Sequence, residues 1–215
     1  MIKAVIFDVD GTLLDTERIY MRSWKIAGKA AGFDISQETL LKTRAINKAE
    51  AKKIFQDALG LDFDYDTIQK ARTVISEEII AQSDNLLLPG VKETLDYLNG
   101  HGYPIAVASS TGREKTVSHL EHAGLLHYFD AVVGGDMVSR GKPNPDIFLK
   151  AAELLGVEPE DCMVVGDTPA DVRASTAAKM YTVLVPDCVT PDDTVKAMCH
   201  RILTRLNQVI DILEA

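Results

Sequence analysis

Residues 2–7 form a short apolar run rich in β-branched side chains, closed by Asp8 and a Gly-Thr turn. A strand buried on both faces has this pattern. Between residues 15 and 87 the chain changes to helical periods with no convincing strand. Ile19, Trp24 and Ala27 share one face, and Ser36 is placed to cap a second helix. Ala49, Lys53, Phe55 and Leu59 lie in a third, and residues 65–81, apolar at Ile68, Val74, Ile75 and Ile79, predict a fourth. After residues 86–90 helix and strand alternate. Val91, Leu95 and Leu98 mark a helix closed by Gly100 and Gly102, and residues 105–110 the next strand. A helix follows over 114–123, then a strand over 131–133. Asn144 and Pro145 open another helix as N-cap and first residue. Residues 163–165 and 181–185 are two further strands. A single last helix is expected to carry Val195, Cys199, Ile202, Leu206, Val209 and Leu213 on one face.

Strands separated by helices imply βαβ units and a parallel sheet covered on both sides. The fold class is therefore α/β, a doubly wound, Rossmann-like core. Its first strand is cut off from the others by some seventy helical residues, which predicts an inserted helical domain. The expected division is a core of residues 1–15 and 87–215 and an insert of residues 16–86.

Composition narrows the function. The 215 residues carry a formal net charge of −9, which argues against a nucleic-acid backbone as main partner, since that needs clustered Lys and Arg. No apolar run is long enough to span a bilayer, and the first eight residues meet a charge too early for a signal peptide. Cys162, Cys188 and Cys199 are odd in number with no CxxC pair, as in reduced cytosolic proteins. The expectation is a soluble cytoplasmic protein, monomeric or weakly dimeric.

Open parallel sheets bind ligands beyond the carboxyl ends of their strands. Strand one ends Asp8-Val9-Asp10-Gly11-Thr12, so Asp8 and Asp10, two apart, can face the same crevice. Strand two ends in Ser109, Ser110 and Thr111, and Lys142 follows strand three, with Pro143 directing it to an extended conformation. Strand four ends Gly166-Asp167-Thr168-Pro169-Ala170-Asp171. Asp8, Asp10, Asp167 and Asp171 together would be an uncompensated negative charge that takes up protons or binds a cation. Hard oxygen ligands suit Mg²⁺. With a cation and Lys142 present the site accepts a phosphate dianion, and Ser109 can donate to a phosphoryl oxygen.

Asp8-x-Asp10-Gly-Thr, Ser109, Lys142 and Gly-Asp167-x-x-x-Asp171 resemble the four motifs of the haloacid dehalogenase superfamily. Asp15-Thr16-Glu17 and Lys142-Pro143-Asn144-Pro145-Asp146 are similar to its subgroup of sugar-phosphate phosphatases and β-phosphoglucomutases. The resemblance implies a core with a four-helix cap and Mg²⁺-dependent phosphoryl transfer from a small phosphate ester through an aspartyl phosphate. It implies Asp8 as nucleophile and metal ligand, and Asp10 as acid and then base, with its carbonyl on the metal. Ser109 and Lys142 would be phosphoryl holders, Asp167 a metal ligand and Asp171 a further or water-mediated one. An acid such as Asp10 also argues against dehalogenation, whose halide needs no proton. Mutases similar to this chain carry a His where it has Tyr20 and an acidic residue where it has Gly166. A mutase is therefore the second expectation, and a phospho-accepting signalling module, which lacks the insert, the third.

Plainer roles are expected elsewhere. Thr12 reads as a turn residue whose amide assists phosphate binding, Ser110 and Thr111 as helix caps with only backbone contacts to phosphate, and His119 with His122 as a solvated face. Trp24 and Phe55 read as cap core, and Cys199 as packing. By the resemblance the cap closes over the crevice, where Glu17, Tyr20, Arg44 and Lys48 are candidates to meet the rest of the substrate.

Overall fold

The computed structural model describes residues 1–44, 48–188 and 190–215. The chain forms two compact units, one of Met1–Leu14 with Leu87–Ala215, the other of Asp15–Leu86.

The larger unit is built on β1 (Ala4–Phe7), β2 (Ile105–Ser109), β3 (Ala131–Gly134), β4 (Cys162–Gly166), β5 (Tyr181–Leu184) and β6 (Arg201–Ile202). All pairings are parallel, in the order β3-β2-β1-β4-β5-β6. β1 to β4 are wholly buried, which explains their continuous apolar sequences. Small residues on the strands (Ala4, Ala106 and Ala108) leave room for Ile147 and Phe148, which reach the sheet from the helix Asp146–Leu155. β1 lies between β2 and β4, where the order reverses. The chain beyond β1 therefore opens into the crevice that such a reversal creates.

Two expectations fail here. The helix expected to open at Asn144 begins at Asp146; Asn144 instead donates from its side chain to the Gly141 carbonyl, and Pro145 O accepts from the Phe148 and Leu149 amides. The single terminal helix is broken. A helix spans Asp193–Met198, Cys199 turns extended, and residues 200–203 run beside β5, with His200 N donating to Thr182 O and Leu203 N to Leu184 O. The unpaired edge of β5 claims this segment, because backbone groups at a sheet edge need partners. Val195 then packs with Val172 and Leu184, while Leu206 and Val209 are buried further along the chain.

The smaller unit contains Thr16–Ala30, Gln37–Lys42, Lys48–Leu59 and Tyr65–Ala81, all helical. Ser36 caps the second, accepting from Thr39 N at 3.1 Å. The core is aromatic: Phe55 stacks on Phe63 at 5.2 Å, and Trp24 lies 4.5 Å from Phe55. Along Tyr65–Ala81 the inward side holds Ile68 and Ile80, with Ile75 packed against the core. Val74, expected on that face, is 59% exposed. At 3.6 residues per turn it points about 100–120° away from Ile68 and Ile75.

Trp24 is the chain's one tryptophan, so its emission reports on this unit. Phe55→Ala is expected to lower the urea midpoint of the Trp24 transition by the equivalent of about 3–5 kcal/mol. An unmoved midpoint would remove Phe55 from the core of the unit.

Candidate active site

The turn after β1 is wound tightly on itself. The amides of Leu13 and Leu14 both donate to Val9 O, and Gly11 N donates to Leu14 O. Gly11 has φ +86°, and a Cβ there would lie 2.5 Å from Asp167 Oδ2. Only glycine tolerates both demands. Asp8, held to β4 by its amide on Val165 O, is buried beside this turn.

Lys142 is buried at the middle of the site. Its ammonium donates to Asp8 Oδ1 and, at 2.9 Å, to Ala108 O, and it lies 2.7 Å from Asp171 Oδ1. The peptide joining Lys142 to Pro143 is cis. The loop is held by a two-pronged Arg140–Asp146 ion pair and by Asn144 on Gly141 O. Asp171 is gripped from its other side: Oδ2 accepts from Thr168 N at 3.0 Å and from Thr168 Oγ1, while Thr168 Oγ1 accepts from Asp171 N. This reciprocal capping box opens the helix Pro169–Ala177.

Asp8, Asp167 and Asp171 each present a carboxylate oxygen within 4.8 Å of the other two. Thr12 Oγ1 donates to Asp167 Oδ1 at 3.4 Å, so Thr12 contributes its hydroxyl, while its amide is turned to Val9 O. The Asp10 side chain has different company. Ser109 Oγ and Thr111 Oγ1 both donate to Asp10 Oδ2, each at 3.2 Å. Ser110 is exposed and takes no part in these bonds. Glu17 and Arg44 belong to the helical unit and pair with each other at 3.1 Å. There Lys48 pairs with Asp66, and Arg72 lies over the Tyr20 ring.

The electrostatics follow from this arrangement. Burial pushes the Asp8 carboxyl well above the usual carboxylate range; Lys142 opposes the shift, and Asp171 and Asp10 add to it. Burial alone would lower the Lys142 ammonium, but the Asp171 and Asp8 carboxylates outweigh it and hold it above its ordinary value. Asp8 and Asp171 share the Lys142 ammonium, and Asp167 converges on the same two carboxylates, so this cluster is short of positive charge. Three converging hard oxygen donors fit a hard divalent cation.

Several residues have roles that the sequence did not disclose. Neither Ser110 nor Thr111 caps a helix: Gly112 stands at that position of the helix Arg113–His122, and Asp136 accepts from the Arg113 amide. Thr111 stands two residues after Ser109, the spacing that puts side chains on one side of an extended segment. Thr168, three before Asp171, carried a readable capping-box spacing. His119 is buried, whereas His122 is exposed, so the pair does not form the expected solvated face.

The model of the haloacid dehalogenase-like hydrolases matches residues 5–185. The chain belongs to this family. It is 32% identical over 178 residues to the phosphorylated carbohydrates phosphatase of Thermotoga maritima, covering 82% of this chain and 81% of that one. Among solved structures, CbbY of Rhodobacter sphaeroides in complex with phosphate is 27% identical. It has a TM-score of 0.82 and covers 97% of this chain and 96% of that one. β-Phosphoglucomutase of Clostridium difficile, at 23% identity, shares the fold with a TM-score of 0.81 over 100% of this chain and 96% of that one. In this hydrolase no described helix is long and apolar enough to cross a membrane.

Gly166 tests how tightly the acids are packed, since a Cβ there would lie 2.6 Å from the Asp171 Cβ. Gly166→Ala is expected to displace Asp171, and with it Lys142. Turnover should fall on the order of 10- to 100-fold, and stability by about 1–3 kcal/mol. Turnover equal to wild type would show that the Asp171–Lys142 contact does not matter for the reaction.

Proposed function

We propose that the protein is a Mg²⁺-dependent phosphatase that hydrolyses a small sugar or polyol phosphate through an aspartyl phosphate on Asp8, with the helical unit as the family's cap. The observation that carries this reading is the buried Asp8 carboxylate between Lys142 and the acidic group that includes Asp167. Membership of the hydrolase family supports the reaction class. The name of the Thermotoga maritima relative supports the substrate class.

In the first half of the reaction an Asp8 oxygen attacks phosphorus as the ester P–O bond breaks, and Asp10 gives its proton to the departing oxygen, releasing an alcohol. In the second half a water oxygen bonds to phosphorus while Asp10 takes the water proton. The Asp8–phosphorus bond breaks, returning Asp8 as a carboxylate and releasing phosphate. Splitting one displacement into two lowers each barrier, and an acid–base group placed like Asp10 contributes about 10²–10⁴-fold. Lys142 and Ser109 hold the phosphoryl oxygens. Asp8 and Asp167 would hold Mg²⁺, which when bound supplies the positive charge that the cluster lacks. Asp171, engaged by Thr168 and Lys142, keeps the ammonium in place.

The second reading, a phosphomutase, has the shared β-phosphoglucomutase fold in its favour. Against it stands Gly166: the acidic residue that similar mutases carry there has no room beside Asp171. Incubation with β-glucose 1-phosphate separates the readings. Free phosphate is expected, and accumulation of glucose 6-phosphate would overturn the phosphatase assignment.

Asp8→Asn is expected to fold and to lose turnover entirely; a near-normal rate in that variant sinks the covalent scheme. EDTA should abolish activity in the wild type, and Mg²⁺ should restore it.

The raised Asp8 value also fixes a sign. Without metal the folded protein keeps a proton on Asp8 at pH values where the unfolded chain, with a carboxyl near 3.8, has lost it. Stability therefore falls as pH rises from about 4 through the raised native value. Melting curves in EDTA should show this fall in the wild type and a flatter profile in Asp8→Asn. Mg²⁺ should recover the loss in the wild type far more than in the variant. Parallel profiles for the two proteins in EDTA would show that Asp8 does not carry the effect.

A further inference from the structure

The Asp10 carboxylate is held at one oxygen by two hydroxyls. Ser109 Oγ and Thr111 Oγ1 each lie 3.2 Å from Asp10 Oδ2, and the Thr111 amide donates to Ser109 Oγ at 3.0 Å. A hydroxyl has one proton to donate. In the proposed reaction Ser109 is asked to give that proton to a phosphoryl oxygen, and it cannot give it to Asp10 at the same moment. Thr111 has no such conflict. It does not cap the helix that follows, and its own backbone is anchored, with Thr111 O accepting from Gly135 N at 3.0 Å.

We propose that Thr111 is the positioning residue for Asp10 while phosphate is bound. Ser109 turns its proton to the phosphoryl group, and the Thr111 hydroxyl keeps its bond to Asp10 Oδ2. The inference rests on the phosphatase reading. With Oδ2 fixed, the rest of the carboxyl group is aimed at the ester oxygen in the first half-reaction, where its proton leaves as the P–O bond breaks. In the second half it is aimed at water, whose proton it takes as the water oxygen bonds to phosphorus. Loss of the Thr111 hydroxyl should therefore impair only the half-reactions that need proton transfer.

p-Nitrophenyl phosphate separates the two halves, because p-nitrophenolate departs without a proton. Full-length Thr111→Val and Thr111→Ser would be compared with wild type in Mg²⁺, by stopped flow and in the steady state. In Thr111→Val, kcat for p-nitrophenyl phosphate is expected to fall on the order of 10- to 100-fold. Its kcat/KM should stay near wild type, with a burst of p-nitrophenolate approaching one equivalent. With glycerol 3-phosphate, whose alkoxide needs a proton, kcat/KM should fall as well. Thr111→Ser should restore both. Wild-type kcat in Thr111→Val overturns the proposal. So does a parallel fall of kcat and kcat/KM with p-nitrophenyl phosphate that Thr111→Ser does not rescue, the result of a merely structural role. A wild-type protein that releases no phosphate from either ester fails the phosphatase reading instead, and that is visible before any variant is made.

Discussion

One ammonium group binds the two ends of the site together. Lys142 donates to Asp8 and to the Ala108 carbonyl, and its ammonium lies 2.7 Å from Asp171 Oδ1. An ammonium taken out of water is tolerated only when it is paired and hydrogen-bonded in this way. The dependence runs outward from there. Asp8 is placed by Lys142, Lys142 by Asp171, and Asp171 by the first turn of the helix Pro169–Ala177, through Thr168. A change in that turn is therefore felt at the opposite side of the crevice.

Sheet topology supplies the distances. Adjacent strands lie about 4.8 Å apart, and β2, β1 and β4 are consecutive in the sheet. Ser109, Asp8 and Asp167 stand at or just beyond the ends of these three strands, so residues remote in sequence reach one rim without long side chains. Lys142 arrives differently. It comes from the loop beyond β3, one strand further out, and needs both a long side chain and a clamped loop. The Arg140–Asp146 pair and the Asn144–Gly141 bond provide the clamp. Each bond alone is weak at an exposed position, but together they limit where the Lys142 backbone can go.

How much of this could be read from the chain follows from the range of the interactions concerned. Asp8, Ser109 and Asp167 were legible because they sit where a continuous apolar run gives way to polar residues, a local signal, and Lys142 because Pro143 follows it in the loop beyond β3. The helix Tyr65–Ala81 was legible in extent but not in facing. Val74 fits an apolar list, and only the angle it makes with Ile68 and Ile75 shows that it points outward. Residues 195–213 misled because helical spacing of apolar positions also suits a chain that turns extended to pair with β5. No pattern within that segment reports that an unpaired edge is waiting. Thr111 was obscured for a related reason: its partner Asp10 lies 101 residues away, and hydroxyl residues ahead of a helix usually cap it.

The glycines explain why the acids stay crowded. Like charges gathered in a site of low polarity normally relax apart, which lowers their repulsion at small cost. Here that route is closed on two sides. Asp167 lies against Gly11, where a Cβ would come within 2.5 Å of its carboxylate, and Asp171 lies against Gly166, where a Cβ would come within 2.6 Å. Backbone packed this closely bars each side chain from retreating on that side, and Asp171 is also tied down by Thr168. With their separation limited, their charge is offset by a proton on Asp8 or would be offset by a cation at the carboxylates. A proton neutralises Asp8, whereas a cation would leave it ionised. Close-packed backbone at the Gly11 turn and at the end of β4 thus concentrates negative charge that a proton or a cation would offset.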